Sequence, residues 1–135
     1  SFKNRRWDIP AERMRKADEA HSVPLSVRAL EILKTARKAT NGDLVFPSAA
    51  GGPLSDMTFT ELLRDMGYRG KATAHGFRSS FKVWAAEKAK VRDEVSEAAL
   101  AHKVPEKVRA AYLRTQFFDE RRPLMEDWTV HVSPH

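Results

Sequence analysis

Five residues stand out for the chemistry they can do together: Tyr112 late in the chain, His75, His102, Arg78 and Lys16. They suit phosphoryl transfer. A phosphodiester attacked in line spreads negative charge over its non-bridging oxygens, so a site for it needs guanidinium or imidazolium donors aimed at those oxygens. Arg78 and His75 can supply them, and a spacing of three puts both on one side of a helix. The attack needs an oxygen nucleophile able to form a covalent intermediate, and the departing oxygen needs a proton. Tyr112 and Lys16 fit those two tasks. Positioning and electrostatics then supply most of the rate, so no cofactor is expected and no metal is obligatory.

Each residue also has a plainer reading. Tyr112 shares a helical face with Val108 and is, by type, more often a half-buried core aromatic than a nucleophile. His75 can cap a helix, and His102 can interact with the dipole of the helix it follows. Arg78 can be a surface ion pair, and Lys16 a solvated loop charge. Glu97, five residues before His102, can orient that region, an assignment the sequence alone does not carry. His131 and His135 have the four-residue spacing of a helical metal pair, but Pro134 lies between them and no third ligand is near. No metal site is expected there.

The 135 residues carry 24 Lys and Arg against 18 Asp and Glu, a net charge of +6. That excess makes polyanions the leading partner class, since cationic side chains displace counterions condensed on nucleic acid. Cysteine is absent, which removes a disulfide framework, a thiol nucleophile and any thiolate-held zinc or iron-sulfur group. Apolar runs fall far short of the roughly 18 to 20 residues needed to cross a bilayer, so no membrane partner is expected and a cytoplasmic location is. The length fits one domain able to build a core without staples.

These residues need elements to hold them. The alternation from Arg6 to Pro10 and the segment Ser22 to Leu25 predict a two-stranded hairpin with a polar connection carrying Lys16. Val27, Leu30, Leu33 and Ala36 predict a helix over 26–40, capped by Ser26 and stopped by Asn41-Gly42. Gly51-Gly52-Pro53 is a loop, and the next helix runs from a Ser55 cap to Gly67, with Phe59, Leu62, Leu63 and Met66 as its buried face. His75 and Arg78 open a further helix to about Lys90 that turns Phe77, Phe81 and Trp84 inward. Helices over 93–101, from Pro105 onward, and over 119–130 complete a mainly helical chain with a small antiparallel sheet, an α+β class.

The order His75-x-x-Arg78, Leu100-Ala101-His102 and then Ala110-Ala111-Tyr112 resembles the catalytic domain of the tyrosine recombinases. Ile9-Pro10-Ala11-Glu12-Arg13-Met14, His21-Ser22-Val23-Pro24-Leu25-Ser26 and Arg121-Arg122-Pro123-Leu124-Met125 resemble its phage and prophage integrase branch, over nearly the whole chain. The resemblance implies an integrase catalytic-domain fold and site-specific DNA strand exchange. In it Tyr112 attacks the DNA phosphate to leave a 3'-phosphotyrosine and a free 5'-hydroxyl. It further implies that Arg78 clamps the scissile phosphate, that His75 assists proton transfer and donates to that phosphate, and that His102 hydrogen-bonds a non-bridging oxygen. Lys16 matches the general acid. The branch has Met-Lys where this chain has Met14-Arg15-Lys16, so either an insertion carries the lysine to 16 or Arg15 takes its place.

Implied partners are double-stranded attachment-site DNA and, for the full-length protein, further copies of itself in a tetramer. The segment after Tyr112 can dock on a neighbouring copy. The family's first clamping arginine and its separate DNA-gripping domain have no counterpart in 1–135, so the chain is expected to be a single truncated catalytic domain, weak on duplex and inactive alone. A catalytically inactive DNA-binding relative and a type IB topoisomerase, which rejoins the same strand after swivelling, are the alternatives.

Overall fold

A computed structural model describes residues 1–15 and 19–134. Among them the architecture is the predicted one, mainly helical with a small antiparallel sheet. The chain divides into two compact units, residues 1–30 with 81–135, and residues 31–80.

In the first unit the alternating segment around Trp7 forms β1 (Arg6–Ile9), paired antiparallel with β2 (His21–Pro24). Register pairs Trp7 with Val23 and Ile9 with His21. β2 is the inner strand, with His21, Ser22 and Pro24 buried, whereas β1 is mostly exposed. A single 3-10 turn, Ala11–Arg13, follows β1.

Ser26 acts as predicted: its Oγ accepts the Ala29 amide at 3.1 Å and starts α1 (Val27–Lys38). Glu126 adds a second cap, accepting the Val27 amide at 3.0 Å. Glu126 sits on α6 (Phe118–Val132), which is preceded by α4 (Asp93–Ala99) and α5 (Glu106–Thr115). The end of α3 (Ala74–Trp84) also belongs to this unit; the helix continues as a π-turn over Ala85–Ala89 and stops at Lys90, which is left-handed at φ 53°. Phe81, Trp84, Ala85, Val95, Ala98, Leu100, Val104, Tyr112, Phe117 and Leu124 form the core. Trp128 packs edge-on to Phe81 at 5.4 Å between centroids and tilted against Trp84 at 5.1 Å. His131 stacks on Trp84 at 5.7 Å, so this histidine belongs to an aromatic cluster; His135 lies outside the described residues.

The strand is fastened to the helices by two polar side chains. Gln116 and Phe117 both take left-handed φ values, 52° and 50°, and make the sharp corner between α5 and α6. From that corner Gln116 accepts the Ser22 amide through Oε1 at 2.9 Å and donates from Nε2 to the Ala20 carbonyl at 2.7 Å. Arg121, one turn into α6 and 1% exposed, donates from Nη2 to the Ser22 carbonyl at 2.7 Å and from Nε to the Gln116 carbonyl at 2.9 Å. Burial pulls the Arg121 pKa down to about 10, with some opposition from Tyr112, and leaves the guanidinium charged at neutral pH.

The second unit contains the rest of α1, α2 (Thr58–Asp65) and the start of α3. Its sequence expectations need three corrections. Helix α2 begins at Thr58, because Ser55 meets Thr58 through its carbonyl and hydroxyl, at 3.2 and 3.4 Å, and caps no helical amide with its side chain. Phe59, Leu62 and Met66 are not buried; they are 59%, 52% and 60% exposed. Phe77 is likewise 55% exposed, although Phe81 and Trp84 of the same helix are buried as predicted. The physical reason is size: a piece this short has too little chain to enclose its own apolar side chains, and none of its described residues is buried. Gly67 ends α2 as expected at φ 83°, with the Tyr68 amide donating back to the Leu63 carbonyl at 2.8 Å.

Replacing Arg121 by Met keeps the bulk but leaves the buried Ser22 carbonyl and the partly buried Gln116 carbonyl without their donor. Arg121→Met is expected to lower stability by roughly 2–4 kcal/mol, read from the urea midpoint. An unchanged midpoint would remove Arg121 from this fastening role.

Candidate active site

Two of the predicted site residues, His102 and Tyr112, line one cleft of about 740 Å³ in the first unit. His21, Glu19, Lys103 and Arg109 line it with them.

His102 reaches the cleft because of how α4 ends. Leu100 closes the helix as a buried residue, and Ala101 takes a left-handed φ of 54°. The His102 amide then folds back to donate to the Glu97 carbonyl at 2.9 Å. This turn points the histidine away from the core that Leu100 enters. The Glu97 side chain completes the arrangement: its Oε2 lies 2.6 Å from His102 Nδ1, and its Oε1 lies 2.6 Å from Lys82 Nζ. Lys82, near the end of α3, also donates to Asp93 Oδ1 at 2.7 Å and Ser96 Oγ at 2.8 Å. Partial burial works to raise the Glu97 pKa, but the hydrogen bonds and charges of Lys82 and His102 outweigh it and hold the carboxyl below its ordinary range. Burial likewise opposes the Lys82 charge, yet Asp93 and Glu97 win and raise the pKa of its ammonium.

Tyr112 sits on α5, 8% exposed, with its ring 6.1 Å from that of Phe117. Burial raises its pKa, and Glu19 adds to this, while the charges of Arg121 and Arg109 pull the other way. The phenol therefore rests in its protonated form. Arg109, one turn earlier on α5, is tied to Glu19 by an ion pair of 2.7 Å.

His75 and Arg78 belong to the second unit, in the first two turns of α3, and both are exposed. Thr73 caps that helix, its Oγ1 accepting the Gly76 amide at 2.9 Å. The two side chains lie one turn apart, as the spacing requires. Lys16 lies outside the described residues; Arg15 is within them and exposed.

Sequence reasoning left Glu97 without an assigned role and passed over Lys82 and His21. Glu97 had a weak signal, a carboxylate five residues before a histidine. Lys82 had none, since its partners come from a different helix. His21 is 4% exposed on β2, and its Nδ1 is buried without a hydrogen-bond partner among the described residues. Burial, helped by the charge of Arg121, lowers its pKa from 6.5 to about 4, so it is a neutral imidazole at the cleft wall. Among the described residues there is no cluster of three or more metal-binding side chains, and no helix is long and apolar enough to cross a membrane.

Comparison with known proteins adds the context these side chains need. The Phage integrase family model matches residues 1–118. The chain is 38% identical to prophage integrase IntA of Escherichia coli strain K12, covering 98% of this chain and 32% of that protein. It is 36% identical to the integrase of Enterobacteria phage P4, over 94% of this chain and 33% of the relative. Prophage integrase IntZ of Escherichia coli strain K12 is 34% identical over 93% of the chain. The chain thus spans about a third of the length of these curated relatives. No solved structure matches it.

The state of His21 fixes a pH dependence. The unfolded imidazole takes a proton near 6.5 and the folded one only near 4, so acid favours the unfolded chain. Stability that His21 leaves intact at neutral pH is expected to drain away as pH falls through that window, by a total of order 3 kcal/mol. In His21→Leu the urea midpoint is expected to fall less between pH 6.5 and 4 than in the parent. An equal fall in both would show that His21 takes up its proton as readily in the folded chain as in the unfolded one.

Proposed function

The chain belongs to the phage integrase family, and on that premise we propose that it carries the strand-cutting chemistry of a site-specific DNA recombinase, with Tyr112 as nucleophile. The observation that carries this reading is the shared cleft: a tyrosine on α5 and a histidine from the turn that follows α4 line one opening that also contains Lys103 and Arg109.

In the proposed reaction the Tyr112 hydroxyl hands its proton to His75 and attacks a phosphodiester of duplex DNA. The new bond joins Tyr112 Oη to phosphorus, the bond from phosphorus to the 5'-oxygen breaks, and a 3'-phosphotyrosine remains. Charge on the non-bridging oxygens is met by Arg78, which clamps bidentately, and by His75 and His102 as donors. Lys16 protonates the departing 5'-oxygen; Arg15, if it stood in that place, would do so poorly because a guanidinium hardly releases its proton. Attack of a second 5'-hydroxyl on the phosphotyrosine restores the tyrosine and exchanges strands, integrating or excising a mobile element.

The raised Tyr112 pKa suits a nucleophile that must stay protonated until a phosphate is in place. The net charge of +6 favours the polyanionic substrate. The full-length protein would work in the cytoplasm, where DNA is accessible, as a tetramer on paired sites, with this chain as its catalytic portion and the DNA-gripping domain and first clamping arginine supplied from outside residues 1–135.

Two outcomes test the assignment on a duplex carrying the element's own boundary sequence. A denaturing gel is expected to show a covalent protein-DNA adduct that is absent in Tyr112→Phe; an adduct that survives the substitution removes Tyr112 from its role. Lys16→Ala is expected to slow adduct formation on the normal duplex and to be restored when sulfur replaces the bridging 5'-oxygen, because a thiolate leaves without a proton. A loss that sulfur does not restore assigns Lys16 another task.

A further inference from the structure

We infer that Glu97, braced by Lys82, is the positioning residue that fixes the tautomer and aim of His102; this rests on the proposed role of His102 at the scissile phosphate. Glu97 holds His102 twice over. Its backbone carbonyl accepts the His102 amide at 2.9 Å, and its carboxylate meets the ring at Nδ1 at 2.6 Å. The first bond fixes where the side chain leaves the main chain, and the second fixes how the ring is turned. With Nδ1 committed to Glu97, Nε2 is the nitrogen that a phosphate oxygen in the cleft would meet.

The proton count gives this geometry its consequence. A neutral imidazole has one N–H, and a carboxylate, being acceptor-only, keeps that proton on Nδ1. A ring in this state donates to a phosphate through Nε2 only when it carries a second proton. Glu97 compensates the charge of that imidazolium from behind, so the phosphate receives a charge-assisted hydrogen bond in place of a neutral one. Without Glu97 the single proton is free to move to Nε2, and His102 meets the phosphate as a neutral donor in a loosely held ring.

Lys82 makes the carboxylate dependable. Its ammonium bridges Glu97 Oε1, Asp93 Oδ1 and Ser96 Oγ at 2.6, 2.7 and 2.8 Å, which ties α3 to α4. It keeps Glu97 ionised and leaves Oε2 for the ring. Lys82 is only 27% exposed at its side chain and Glu97 21%, so the pair is partly shielded from solvent, whereas His102 is 47% exposed. The relay thus runs from a shielded brace to an accessible ring.

The test has one arm without DNA and one with it. In the chain labelled with 15N-histidine, the neutral His102 ring is expected to carry its proton on Nδ1 in the parent and largely on Nε2 in Glu97→Ala; the same tautomer in both overturns the proposal. On boundary-sequence duplex, Glu97→Gln is expected to slow adduct formation by roughly tenfold, the difference between a charged and a neutral donor. The decisive comparison adds the same change to His102→Gln, whose amide donor has no tautomer to set. There Glu97→Gln is expected to cost nothing more, and a second tenfold loss would place Glu97 elsewhere in the mechanism. If Tyr112→Phe still forms the adduct, the recombinase assignment falls, whereas the nitrogen spectra report on the Glu97 and His102 pair regardless.

Discussion

A single buried cation fastens the first unit together. Arg121 leaves α6, passes beneath the corner that ends α5, and donates to one carbonyl of that corner and one of β2. The desolvation it suffers is severe enough to lower its pKa, yet both bonds are charge-assisted and each satisfies a carbonyl that would otherwise be stranded. Gln116 completes the fastening from the corner itself, taking the Ser22 amide as an acceptor. Between them they occupy the outer edge of β2, the side β1 does not pair, so the short sheet is held where a two-stranded hairpin alone would be marginal.

The site inherits its placement from that fastening. Tyr112 lies one turn before Gln116 on α5, and His21 lies next to Ser22 on β2. Locking the corner to the strand therefore sets the nucleophile candidate and the neutral histidine on the walls of one cleft. His102 is set independently, by the left-handed turn at Ala101 and the Glu97 carboxylate. Two separate devices thus define the opening, one built on a guanidinium and backbone carbonyls, the other on a lysine, a glutamate and an imidazole. In both, a charge partly or wholly removed from water is satisfied by several fixed partners, which confers precision on the groups attached to it.

Electrostatics divides the site into resting and responsive parts. Tyr112 is kept protonated and His21 neutral by burial, while Glu97 and Lys82 are kept charged by each other. Arg109 is occupied by Glu19 at the cleft edge. Groups held in this way are already oriented, so the cleft walls need little reorganisation to keep these states.

The order of elements was legible in the sequence because it depends on local spacing. The alternation near Trp7, the Ser26 cap, the Gly67 stop and the stripes holding Phe81, Trp84, Tyr112 and Leu124 each involve residues within a turn or two of one another, and each is found in the structure. The motif order His75, Arg78, His102, Tyr112 pointed to the family for the same reason: it is a property of the chain as written. Burial was less legible. Phe59, Leu62, Met66 and Phe77 have the spacing of a core face, but periodicity records which residues share a side and not whether anything covers it. The partners of Lys82, His21 and Arg121 were not legible at all. Lys82 finds Glu97 across two helices, and Arg121 finds Ser22 across 99 positions of chain, so only tertiary structure decided which charges are shielded, which imidazole is neutral, and which nitrogen of His102 is held.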